Sequence, residues 1–214
     1  MPYPAVQPYY NFTIADDKGK IVRKSRKYKS YSFVKGFLDI MMLTFIETHS
    51  TCKNTANVST TIGAGGYYND QRVVKNTRPF IANSSYTPNG ETDSTKCGIV
   101  IGSGNAAVNV SDFALQTPIL NAAVAHSVQN MGACAVDSTS TFFNMTRVFT
   151  NVSGSDKFIR EIGIVLSNCY YSQGGYTSYA YLDNILVIRD VLPGAITLTN
   201  GQSMTLNYTI KATV

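Results

Sequence analysis

The stretch Ile196-Thr-Leu-Thr-Asn-Gly-Gln-Ser-Met-Thr-Leu-Asn-Tyr-Thr-Ile-Lys-Ala-Thr-Val214 decides the fold class. Ile196 and Leu198 alternate with Thr197 and Thr199, and Asn200-Gly201 interrupts the run. Met204, Leu206, Tyr208, Ile210, Ala212 and Val214 then fall on every second residue. Successive side chains of a strand point to opposite faces, so this period marks strands with one face in and one face out. The Asn-Gly pair is a strong turn signal, because both residues tolerate the backbone that tight turns need.

Working outward, the same texture recurs. Tyr179 to Arg189 follows a Gln-Gly-Gly turn, Phe158 to Leu166 is an apolar run, and Thr139 to Thr150 is rich in Thr, Phe and Val. Gly98 to Ile101 is a further short apolar run. Between Thr51 and Lys96 the glycines, asparagines and prolines break the chain into short pieces, with Arg72 to Lys75 and Phe80 to Ala82 as candidate strands. Short strands between turns, without strand-helix-strand alternation, predict a mainly β protein. The expected form is an antiparallel β-sandwich, jelly-roll or immunoglobulin-like, over residues 51–214.

Residues 1–50 are expected to differ from that body. Pro2, Pro4 and Pro8 suggest an extended N-terminal arm over residues 1–17. A basic segment follows, with Lys18, Lys20, Arg23, Lys24, Arg26, Lys27 and Lys29. Phe33, Phe37, Met41 and Phe45 then recur every four residues, beside Val34, Leu38 and Met42. That spacing predicts one apolar α-helix, with Ser30 or Ser32 as N-cap and Lys35 paired with Asp39. A helix so apolar must be covered, by its own core or by another subunit. Phe33, Phe37, Met41 and Phe45, together with Arg23, Lys24, Arg26 and Lys27, are therefore the candidate assembly contacts.

Charge and chemistry narrow the function. Charged residues make up 14% of the chain, against a usual share of about 25%, and uncharged faces suit contacts with other subunits. The formal net charge of +5 is smaller than the charge of the basic segment. That segment can meet nucleic acid or an acidic neighbour, the latter being favoured. Residues 1–12 lack a basic region followed by an apolar core, so no secretory leader is expected. The apolar run from Phe33 to Ile46 is too short to span a membrane.

Cys52, Cys97, Cys134 and Cys169 are widely spaced, and only His49 and His126 accompany them. Buried thiols are the expectation, a metal site is not, and one or two disulfides stay open. Gly102, Gly104 and Ala107 match the spacing of dinucleotide-binding glycines, but no helix-forming sequence follows, so no cofactor is expected. Two histidines and no Gly-x-Ser-x-Gly elbow argue against a hydrolase triad. Glu161 beside Arg160, and Asp190 beside Arg189, suggest structural ion pairs or strand-end charges. The expectation is a protein that is not an enzyme.

Five stretches taken together resemble a known group of proteins. They are Ser32-Phe-Val-Lys-Gly-Phe-Leu38, Gly98-Ile-Val-Ile-Gly-Ser-Gly104 with Asp112-Phe-Ala-Leu115, Arg160-Glu-Ile-Gly-Ile-Val165, and Ile188-Arg-Asp-Val-Leu-Pro193 running on through Ile196 to Ile210. The chain resembles a loose group of virion structural proteins of tailed phages and related viruses. The resemblance implies a particle component present in many copies, located in the virion and partnered by itself and other virion proteins. It leaves capsid, tail and fibre open, and it carries no catalytic residue over. The alternative is a receptor- or glycan-binding fibre or adhesin module, with Tyr67, Tyr68, Tyr170, Tyr171, Tyr176 and Tyr179 near glycine-rich turns.

Overall fold

The structure is a computed structural model that describes residues 5–30, 32–46, 49–63, 66–68, 71–78, 97–171 and 182–213. Over 41–52, 60–78, 167–171 and 182–183 the account is of the backbone alone. In chain order the elements are β1 (Ala5–Ala15), β2 (Ile21–Lys24), β3 (Tyr28–Lys29), α1 (Lys35–Ile46), β4 (His49–Lys53) and β5 (Ser59–Gly63). Next come β6 (Gly66–Tyr68), β7 (Gln71–Arg78), β8 (Gly98–Gly102), β9 (Val124–His126), β10 (Asn130–Met131) and β11 (Ala135–Val136). The last four are β12 (Ser140–Asn151), β13 (Lys157–Tyr171), β14 (Leu182–Leu198) and β15 (Ser203–Thr213).

The protein is mainly β, with two antiparallel sheets and one helix among the described residues. Sheet A runs β12-β15-β1, with β2 and β3 on the outer edge of β1 and β9, β10 and β11 on the outer edge of β12. Sheet B centres on β13, which pairs with β14 on one side and with β8 and β7 on the other. A separate hairpin joins β4 and β5.

The two sheets share one core. Tyr10, Phe12, Ile14, Met145, Phe149, Met204, Leu206 and Tyr208 come from sheet A, and Ile99, Ile101, Ile162, Ile164 and Leu198 from sheet B. All are buried, at alternate positions of their strands. Buried polar groups tie the layers together. The Tyr208 hydroxyl donates to Asp190 at 3.1 Å, and Asn151 Nδ2 donates to the Leu198 carbonyl at 2.6 Å. Arg147 Nη1 donates to the carbonyls of Cys97 and Ile99.

The alternation around Asn200-Gly201 marks two strands, and both are present. Gly201 has φ +82°, the left-handed backbone that glycine adopts without strain. The turn does not close a hairpin, however. β14 belongs to sheet B and β15 to sheet A, so the turn carries the chain from one layer to the other. Asn151 holds it there, its amide donating to the Gln202 carbonyl and its own carbonyl accepting from the Gly201 amide.

The N-terminal half departs from expectation in two ways. The expected extended arm is, from Ala5 onward, strand β1, paired in eleven successive positions with β15. Tyr10, Phe12 and Ile14 are inward-facing and buried, which outweighs the prolines. Pro8 sits where the neighbouring β3 stops, since β3 pairs with Tyr9 and Tyr10. A boundary at residue 50 would therefore cut β1 from its own sheet.

The helix begins at Lys35, and neither Ser30 nor Ser32 caps it. Phe33 instead bridges to Ile188, and the Val34 amide donates to the Val187 carbonyl, extending the edge of β14. The Lys35–Asp39 pair forms as expected, at 2.6 Å. Gly36 lets α1 lie directly on β14, because a Cβ there would stand 2.8 Å from Ile185 Cγ2 and closer still to the Leu186 carbonyl.

Candidate functional site

Three places concentrate chemistry, and the first is buried. Glu161 lies on β13, on the face of sheet B that points away from the shared core. Its carboxylate accepts four donors: the amides of Gly104 (3.2 Å), Thr117 (2.7 Å) and Gln116 (3.0 Å), and Arg189 Nε (2.9 Å). Arg189 also donates to Asp112 at 2.7 Å and to the carbonyls of Ala106 and Ala107. Burial alone would lower the Arg189 pKa, but its bonds to Asp112 and Glu161 raise it above the usual value. The guanidinium stays charged.

This cluster explains the dinucleotide-like glycines. A Cβ on Gly102 would stand 2.5 Å from Glu161 Oε1, and one on Gly104 would stand 2.6 Å from it. The glycines are needed so that the backbone can wrap a carboxylate of the chain itself. Loop 103–117 is thereby fastened over sheet B, with Leu115 and Val108 packed beside Val100, Val165 and Leu186. The ion-pair expectation is right in kind but wrong in partner. The register of β13 shifts between Ile159 and Glu161, a bulge at Arg160, and the Arg160 side chain lies over the Phe158 ring at 5.7 Å. Asp190 takes the Tyr208 hydroxyl instead of Arg189.

The second place is the outer face of sheet A. Asn207 Nδ2 donates to Asn11 at 3.0 Å, and the Thr146 hydroxyl donates to Asn207 at 2.7 Å, crossing three strands in one row. The Thr209 hydroxyl donates to Asn144 at 2.7 Å, and Thr150 and Ser203 share a bond of 2.8 Å. Thr13, Thr205 and Val148 form another row in register. Along β12, β15 and β1 the one charged side chain on this face is Lys211, which is paired with Asp137 at 3.2 Å. The nearby Ser140 hydroxyl, then the Thr139 amide that donates to Asp137 Oδ1 at 2.9 Å, then Lys211, hold the Asp137 pKa well below the usual carboxylate value.

The third place is the free edge of the same sheet. Arg23 and Lys24 stand on β2, and Arg26 and Lys27 lie between β2 and β3. All four are exposed. Arg23 lies 5.4 Å above the Phe12 ring, Arg26 5.2 Å above Tyr28 and Lys27 4.7 Å above Tyr9. The Ser25 amide and hydroxyl keep this segment against Phe12.

Of the predicted helix contacts, Phe33 and Phe37 stack on each other at 3.9 Å and pack against the chain's own core. Leu38 faces outward and is 66% exposed. The side chains of Met41 and Phe45 lie outside the described residues, as do those of Tyr67, Tyr68, Tyr170, Tyr171, Tyr176 and Tyr179 and the candidate strand Phe80 to Ala82. Cys97 is half-buried and Cys134 is exposed, contrary to the expectation of buried thiols, while Cys52 and Cys169 lie outside that description. Among the described residues no group of acids, histidines and cysteines could hold a metal, and no helix is long and apolar enough to cross a membrane.

Compared with known proteins, the chain matches no family model, no curated protein and no solved structure.

Proposed function

We propose that this chain is a non-enzymatic structural component of a virus particle, built in many copies through the outer face of sheet A. The observation that carries the reading is the near absence of charge from that face, three strands wide and eleven register positions long. Docking two such faces removes hydroxyls and amides from water but strands no ion, and those groups can bond again across the contact. The finer fold, a sandwich of the jelly-roll or immunoglobulin-like kind, belongs to the same reading, as does location in the virion. Further support comes from the motif resemblance and from the buried acids and arginines. Glu161, Arg189, Asp112 and Asp190 all bond to the chain's own groups, as structural ions do.

Size decides what kind of contact this is. Eleven residues at about 3.3 Å each, across three strands about 4.8 Å apart, make a face of roughly 500 Å². A stable pairwise interface buries about 800 Å² per partner, so one such contact is weak. Repetition in a closed ring or lattice makes weak contacts sufficient. Imaging by electron microscopy tests this directly: the purified chain at high concentration should form rings, tubes or sheets of regular repeat. Featureless single particles, with the chain missing from purified virions of its source, would contradict it.

A further inference from the structure

The basic edge of sheet A borders the uncharged three-strand face, with Lys24 in register with Thr13 and Lys27 over the Tyr9 ring, and it carries its own chemistry. Seven cations fall within residues 18–29, more than the net charge of the whole chain. All seven are exposed. Among the described residues no ion pair uses Arg23, Lys24, Arg26 or Lys27. Nearby acid does not neutralise the row. Asp16 and Asp17 stand beside it, but two carboxylates offset at most two of the seven cations. Elsewhere Glu161 and Asp190 are buried, and Asp39, Asp112 and Asp137 are paired with Lys35, Arg189 and Lys211.

We propose that this edge, through Arg23, Lys24, Arg26 and Lys27, binds the phosphodiester backbone of a nucleic acid. Charges on an edge strand also prevent unwanted strand pairing, but one or two suffice for that. The row follows β1 from Ala15 back to Tyr9, about 20 Å at strand spacing, so it is linear like its ligand. Three of its cations rest on rings of β1 and β3, which restricts them before binding and lowers the ordering they must undergo. An acidic protein fits less well. Lysine is depleted at the centres of protein interfaces, yet five of the seven cations are Lys. Ile21 and Val22, 61% and 51% exposed, form too small an apolar patch to anchor a protein partner. A phosphate backbone needs no such patch, because release of its counterions drives binding.

The test is fluorescence anisotropy of the full chain with a labelled single strand and a labelled duplex of about 20 nucleotides, titrated from about 50 mM salt upward, with a polyglutamate peptide as a third ligand. Both nucleic acids should bind at low salt, and the polyglutamate at least about tenfold more weakly. Replacing Arg23, Lys24, Arg26 and Lys27 together by Gln should weaken duplex binding by about 100-fold or more and flatten its logarithmic salt slope by about 3 to 4. Lys53→Gln with Lys157→Gln, away from the edge, should change affinity by less than about threefold. The single reversal Lys24→Glu, at an exposed side chain, should weaken binding measurably and serves if the fourfold variant precipitates. Nucleic acid left unbound at low salt, a fourfold variant that binds like the parent, or polyglutamate bound as tightly as duplex would each overturn the proposal. The last result would assign the edge to an acidic protein.

Discussion

Glu161 is the residue on which the upper loop depends. Its two oxygens take four donors, and a Gln at this position would turn an NH₂ toward amides or toward Arg189 Nε. Removing one partner of a buried pair costs about 3 to 5 kcal/mol, because the other charge stays buried. Glu161→Gln should therefore lower the unfolding free energy by about 3 kcal/mol in urea titration. A loss below about 0.5 kcal/mol would mean that loop 103–117 is not held this way. Tyr208 gives a second prediction at this scale. Burial first, then the Asp190 charge and the bond to it, raise its pKa well above the usual value near 10, and burial raises Tyr10 likewise. The unfolded chain thus releases these protons before the folded one does. Stability should hold below about pH 10 and fall as pH rises above it, and Tyr208→Phe should flatten that fall. Thermal melts between pH 8 and 11 provide the measurement. At neutral pH the same variant should cost about 1 to 3 kcal/mol, through the lost phenol donor to Asp190.

At the scale of elements, strand β1 separates the two readings of the N-terminus. As an arm, residues 1–16 could be removed with the body intact. As a strand between β15 and the β2–β3 edge, they supply Tyr10, Phe12 and Ile14 to the core. Deleting residues 1–16 should abolish the cooperative unfolding transition followed by circular dichroism, whereas a retained transition would restore the arm. Much of the element pattern was legible beforehand. β8 and β13 follow from apolar runs, β12 from its Thr, Phe and Val content, β14 from the stretch after a Gln-Gly-Gly turn, β15 from period two and the helix from period four. β1 carries the same alternation at Tyr10, Phe12 and Ile14, but prolines before it masked the period. What the local pattern does not encode is pairing. Nothing in Asn200-Gly201 says that the strands beside it enter different sheets. Nothing in Arg160-Glu161 says that the partner of Glu161 is 28 positions away, at Arg189. Register across β13 and β14 sets that partnership. The glycines at 102 and 104 read only as a dinucleotide-like spacing, and the carboxylate they close upon was not legible in it.

For the whole molecule, charge is sorted by place. Among the described residues Glu161 and Asp190 lie inside and Asp39, Asp112 and Asp137 are paired, seven cations gather along one edge, and the three central strands of sheet A show almost no charge on their outer face. A chain working alone in water gains nothing from an uncharged face, whereas a chain that meets copies of itself avoids desolvating ions there. Thr205 and Asn207 lie in the middle of that face, on the central strand β15, with side chains half-exposed and outward. Lysines placed there should leave the fold intact, at a cost of about 1 to 3 kcal/mol for the lost Asn207 bonds to Asn11 and Thr146. Docking would then bury or repel two like charges at each contact, and association should weaken by at least about tenfold. The most direct measurement is sedimentation velocity on the parent chain and on Thr205→Lys/Asn207→Lys over a wide concentration range. The account predicts large, concentration-dependent species for the parent and monomers for the variant. A parent that remains monomeric throughout, or a variant that assembles as the parent does, would contradict it.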